Sequence, residues 1–166
     1  MKGPLVALLL IVLLVVAQAI CYYPRLPDPM ASHFGGGGVP DGWSSRTAFF
    51  AVYVAALALI GGTLFGLAGL LTRIPERMIN LPNKEYWLSP PRRAESLGYV
   101  QRQIAWSAAG VLSFMVLTTQ LVIRTNLAGE ARLPVARIVL LLVMLIIWVS
   151  VVPWRVYRRF SVIQAR

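Results

Sequence analysis

Residues 47–71, TAFFAVYVAALALIGGTLFGLAGLL, run for 25 positions without a charged side chain. About 20 apolar residues in a helix cross about 30 Å of hydrocarbon, so this stretch predicts a transmembrane helix. The whole chain agrees: of 166 residues 58% are hydrophobic and 13% charged, and the mean hydropathy is +0.70. Such a composition excludes a soluble domain. Three further segments pass the same length test, residues 4–22, 104–123 and 135–152. The expected fold is an all-α membrane protein, a single domain over residues 1–166 built as a bundle of four transmembrane helices. An outer loop (23–46) of irregular structure follows the first helix, and a cytoplasmic loop (72–103) follows the second.

The first segment, with Lys2, an apolar run and Ala17-Gln18-Ala19, imitates a cleavable signal peptide. Its apolar character continues through Ile20, Cys21, Tyr22 and Tyr23, which favours a retained helix. Pro153 and the aromatic, basic run WRVYRRF mark the expected end of the fourth span at an interface.

Charge gives the orientation. With the N-terminus inside, the cytoplasmic set holds Lys2, Arg73, Arg77, Lys84, Arg92, Arg93, Arg102, Arg155, Arg158, Arg159 and Arg166, eleven of the sixteen basic residues. The positive-inside rule then places both termini in the cytoplasm and the 23–46 loop outside. The net charge of +10 does not point to nucleic acid, because the arginines sit at span ends and in short loops rather than along one basic stripe.

In the second span Gly62 and Gly66 form a small-xxx-small pair. This suits close helix packing within the bundle and also permits a homo-oligomer. The third span carries Ser107, Ser113, Thr118, Thr119 and Gln120, able to hydrogen-bond between helices. No carboxylate lies inside any of the four predicted spans. That argues against a proton-coupled transporter or ion pump, which relies on an intramembrane acid or histidine.

The outer loop, YPRLPDPMASHFGGGGVPDGWSSR, concentrates the chemistry: it holds the single histidine, His33, and two of the six acids, Asp28 and Asp41. Four prolines should keep the chain extended, Gly35–Gly38 gives it freedom, and Asp41-Gly42 signals a turn. Trp43, Tyr22 and Tyr23 suit an aromatic belt at the membrane surface. His33 with Asp28 and Asp41 could ligate a divalent metal, although the spacing matches no metal signature. The same trio could form an acid/base pair or a pH-sensitive contact. A purely structural loop, with the acids capping turns, and a recognition surface for an external peptide or partner membrane protein are the other readings.

The stretch LPDPMASHFGGGGVPDGWSSR, placed directly after a first transmembrane helix, resembles the small bacterial membrane domain known as domain of unknown function 1648. Leu26, Pro27, His33, Phe34, Gly38, Pro40, Asp41, Gly42 and Trp43 fill the places of its pattern. Ala31 stands where the family usually has proline, and four glycines replace a more mixed segment. The resemblance implies a bacterial inner-membrane protein. It also brings in the SdpI-type immunity proteins, in which this domain is fused to further spans and protects a cell from its own secreted toxic peptide.

In the 72–103 loop, Tyr86, Trp87, Arg92 and Arg93 read as anchors at the inner interface, with Ser89-Pro90-Pro91 starting a helix into the third span. Docking of a cytoplasmic regulator is the sharper alternative. The functional expectation is a non-enzymatic binding, sensing or immunity-like protein, without cofactor, whose outer loop uses His33, Phe34, Asp28, Asp41 and Trp43. Its partners would be the lipid bilayer and an extracytoplasmic peptide or another membrane protein. The alternative is an accessory subunit stabilising a larger membrane complex. No nucleophile–base pair or phosphate-cradling loop speaks for an enzyme.

Overall fold

The computed structural model describes residues 2–163; Arg166, counted above among the inner basic residues, lies outside them. Four helices are long and apolar enough to cross a membrane. They are α1 (Lys2–Tyr22), α2 (Arg46–Leu70), α4 (Pro90–Ala128) and α5 (Val135–Phe160), with a single turn, α3 (Lys84–Trp87), between α2 and α4. The protein is thus a multi-pass, all-α membrane bundle. The loop after α1 is not irregular, however: Met30–Phe34 (β1) and Pro40–Ser44 (β2) pair as an antiparallel hairpin.

Local chemistry explains the boundaries. Ser45 caps α2, its hydroxyl accepting from the Ala48 amide at 3.1 Å. Pro90 and Pro91 open α4, where a missing N–H costs nothing and φ is already helical. Gly129, at φ +63°, ends it, with the Glu130 amide reaching back to the Thr125 carbonyl at 3.1 Å. Two boundaries differ from expectation. The third span is the middle of one 39-residue helix, about 58 Å long at 1.5 Å per residue, so its first turns project beyond the hydrocarbon core. Pro153 does not end α5, which continues to Phe160. One proline removes one hydrogen bond, and the turns beyond it are held by Phe160, fully buried against Ile79, Leu81, Leu88 and Leu97.

The long helix α4 is the axis of the bundle, contacting α1, α2, α5 and β1. Around it Ile11, Phe50, Tyr53, Leu112 and Val116 form the main core with Leu26 and Met30 from the hairpin side. Close approach of α2 uses Gly61, where an added Cβ would lie 3.3 Å from Leu112 Cδ1. Gly62 and Gly66 have open space beside them instead, so the expected intramolecular packing through that pair is not what joins these helices.

Within the core, Gln18 of α1 is buried and acts as a polar hub. Its Nε2 donates to the Val116 carbonyl at 3.1 Å and to Gln120 Oε1 at 3.0 Å, while its Oε1 accepts from the Tyr53 hydroxyl at 2.9 Å. One side chain thereby ties α1 to α2 and α4. Interhelical hydrogen bonds in membranes are worth about 0.6 kcal/mol on average, so Gln18→Leu is expected to destabilise the bundle by about 1–2 kcal/mol. Its melting temperature in mild detergent should fall, whereas Leu14→Ala, on the exposed face of the same helix, should leave it unchanged.

Candidate functional site

The hairpin is docked by its first strand. Met30 is fully buried, and Ala31 is nearly so. Asn126, near the end of α4, grips Ala31 from the side as a neighbouring strand would: its Oδ1 accepts from the Ala31 amide at 2.8 Å, and its Nδ2 donates to the Ala31 carbonyl at 2.9 Å. Nδ2 also donates to the Val122 carbonyl at 2.9 Å, which fixes the amide's orientation. At the tip, the turn runs through Gly35–Val39, closed by the Gly38 amide on the Gly35 carbonyl at 2.8 Å and the Gly35 amide on the Val39 carbonyl at 2.9 Å. Gly38 has φ +75°, and a Cβ there would lie 2.4 Å from the Leu133 carbonyl oxygen. Only glycine allows this approach, in which the Leu133 amide donates to the Gly38 carbonyl at 2.8 Å. The hairpin is therefore held by β1, by Asn126 and by the α4–α5 connection.

Asp41-Gly42, expected to form a turn, lies within β2 instead. The register sets Gly42 opposite His33 across an irregularity between Ala31 and Phe34. A Cβ at Gly42 would come within 2.9 Å of the His33 Cβ, so the glycine leaves room for the imidazole. The His33 Nδ1–H donates to the Asp41 carboxylate. Both side chains remain open, 75% and 51% exposed.

The sequence trio is split. Asp28 lies apart from the pair, with its Oδ2 3.7 Å from Arg46 Nε. Arg46 also sits over the Tyr23 ring, 5.2 Å from its centroid, and Tyr23 shares a hydrogen bond with Thr47 at 2.8 Å. Asp28 thus belongs to the junction between α1 and α2. Among the described residues no three His, Cys, Asp or Glu side chains converge on a point that could hold a metal ion, and no hydroxyl or thiol is hydrogen-bonded to His33 to make a nucleophile–base pair. Trp43 is 61% exposed and Phe34 half-buried on the same hairpin. The site is a displayed surface of one hydrogen-bonded histidine–aspartate pair with two aromatics.

Residues 9–59 match the family model described as Domain of unknown function (DUF1648). The matched segment runs from the middle of α1, through the hairpin, into α2. The match ends before α4, so the part of the clamp supplied by Asn126 and Leu133 comes from outside the DUF1648 segment. No curated protein and no solved structure matches the chain.

At the opposite end of the bundle the four anchor residues are all engaged by other side chains of the protein. Trp87 packs edge-on against Phe160, ring centroids 5.4 Å apart, and its Nε1 donates to the Phe160 carbonyl at 3.0 Å. Arg92 lies over the Tyr86 ring at 4.0 Å, and Arg93 Nε donates to Glu76 Oε1 at 3.0 Å. Sequence reasoning passed over Asn126, Gln18 and Tyr53. Their signal was available: an amide or phenol in or at the end of an apolar span needs an internal partner.

Proposed function

We propose that this chain is a non-enzymatic binding protein of a bacterial cytoplasmic membrane, with both termini inside and the hairpin presented outside to a peptide or to another membrane protein. The observation that carries this reading is the contrast between the hairpin's two faces. Its inner strand is fixed by Met30 and Asn126 and its tip by Leu133, while His33, Asp41 and Trp43 are left uncovered. A fixed surface loses little conformational freedom on binding, which favours affinity. An exposed tryptophan is the kind of side chain that dominates interface energetics, and the His33–Asp41 pair beside it offers polar contacts. Recognition of a peptide would also agree with the immunity-like role the domain resemblance implies. The basic residues favour the orientation, eleven of sixteen falling on the side opposite the hairpin.

The test is affinity capture of the full chain from mild detergent, followed by mass spectrometry, comparing wild type with His33→Ala, Asp41→Ala and Trp43→Ala. Truncating a central interface aromatic removes about 2 kcal/mol or more, so Trp43→Ala should lower recovery of a bound partner at least about tenfold. A partner retained by all three variants would overturn the reading. It would favour an accessory subunit, for which a specific observation exists: a Cβ added at Gly62, Gly66 or Gly69 of α2 would meet no neighbouring element within 4 Å, leaving a smooth strip another helix could approach.

A further inference from the structure

The C-terminal end of α5 and the start of α4 enclose a second feature, independent of the hairpin. An open cleft of about 710 Å³ is lined by Tyr86, Trp87, Arg92, Glu95, Arg158 and Arg159. We propose that this cleft binds the phosphate headgroup of an anionic phospholipid.

Three guanidinium groups from two helices face a space that contains one carboxylate, Glu95, which accepts from Arg159 Nη2 at 2.6 Å. Each guanidinium is backed by an aromatic ring: Arg92 over Tyr86 at 4.0 Å, Arg159 over Tyr99 at 4.4 Å, and Arg158 over Trp154 at 5.2 Å. Stacking occupies the flat faces and leaves the N–H edges for in-plane oxygen acceptors, the arrangement that suits phosphate. Arg159 Nε is buried without a hydrogen-bond partner. Arg92 makes one contact besides its ring, Nη1 to Ser89 Oγ at 3.3 Å. Arg93 takes no part, being held by Glu76.

Depth decides between a lipid and a free phosphate. The apolar run of α5 stops at Pro153, and Arg158 follows five residues later, about 7–8 Å further along the axis. The headgroup layer of one leaflet is about 5–8 Å thick, so the cleft opens at the level of lipid phosphates.

The experiment is native mass spectrometry of the full chain in mild detergent, titrated with phosphatidylglycerol or phosphatidylcholine, with inorganic phosphate as competitor. One charge-assisted hydrogen bond lost is worth about a tenfold change, so Arg92→Gln and Arg158→Gln should each weaken phosphatidylglycerol retention by about that factor. Arg155→Gln, one turn away and outside the cleft, removes a nearby charge but no hydrogen bond to the phosphate, and should change it by only about two- to threefold. The two cleft variants lie on different helices, so a folding defect in one leaves the other decisive. Equal retention of the two lipids, an Arg155→Gln loss as large as that of the cleft variants, or displacement of the lipid by inorganic phosphate would overturn the proposal.

Discussion

Replacing Asn126 with alanine is expected to release the hairpin from the bundle without unfolding the bundle itself. Asn126 satisfies both backbone groups of Ala31, a residue buried between the hairpin and α4. Each orphaned buried group costs about 1–3 kcal/mol, so with two of them the docked state should lose at least about 2 kcal/mol. In amide hydrogen exchange this corresponds to a rise of at least about 30-fold at Ala31. Asn126→Asp sharpens the test. It keeps an acceptor for the Ala31 amide but sets a carboxylate against the Ala31 carbonyl in place of the donor, so it should do nearly the same damage. Unchanged exchange at Ala31 in both variants would show that Met30 burial and the Gly38–Leu133 contact suffice to hold the hairpin.

A second large effect is expected at Gly110 of α4. A Cβ there would lie 2.3 Å from Trp148 Cδ1 and Nε1, so Gly110→Ala must expel the indole. Trp148 would then lose its hydrogen bond to the Trp106 carbonyl, now 3.1 Å long, and its edge contact with the Trp106 ring. α5 packs on the bundle chiefly through α4, so this contact bears on its attachment as a whole. Overpacking of this kind costs about 1–3 kcal/mol, to which the lost hydrogen bond adds. The melting temperature should fall clearly. Because the clash requires both partners, Gly110→Ala combined with Trp148→Ala should be less damaging than the sum of the two single changes. Strict additivity would contradict the packing described here.

Apolar length made the four spans legible in the sequence, since a bilayer imposes a one-dimensional constraint that a chain cannot satisfy any other way. Their ends were less legible. Pro90 and Pro91 signalled a helix start, but the continuity of the following polar turns with the span depends on packing of Leu97 and Tyr99 against the end of α5. Pro153 looked terminal because its cost is local, whereas the burial of Phe160 that outweighs it lies two turns away. In the loop, the glycine run announced the turn that Gly35–Val39 makes, whereas Asp41-Gly42, which also signalled a turn, lies within β2. Which glycine turns and which one makes room for a side chain follows from strand register, and register is set by Ala31 meeting Asn126, 95 residues away in sequence. The same distance explains the candidate site: His33 and Asp41, eight residues apart, were found together, while Asp28 was drawn off by Arg46, whose position depends on where α2 begins.

The central claim is that the hairpin is a recognition surface on the outer side of the membrane. It is tested most directly by labelling intact expressing cells with a membrane-impermeant maleimide, using Trp43→Cys and, separately, Val162→Cys, both in a Cys21→Ser background. Trp43→Cys should react in intact cells, and Val162→Cys only after the membrane is permeabilised. The reverse pattern would place the hairpin in the cytoplasm and contradict the account.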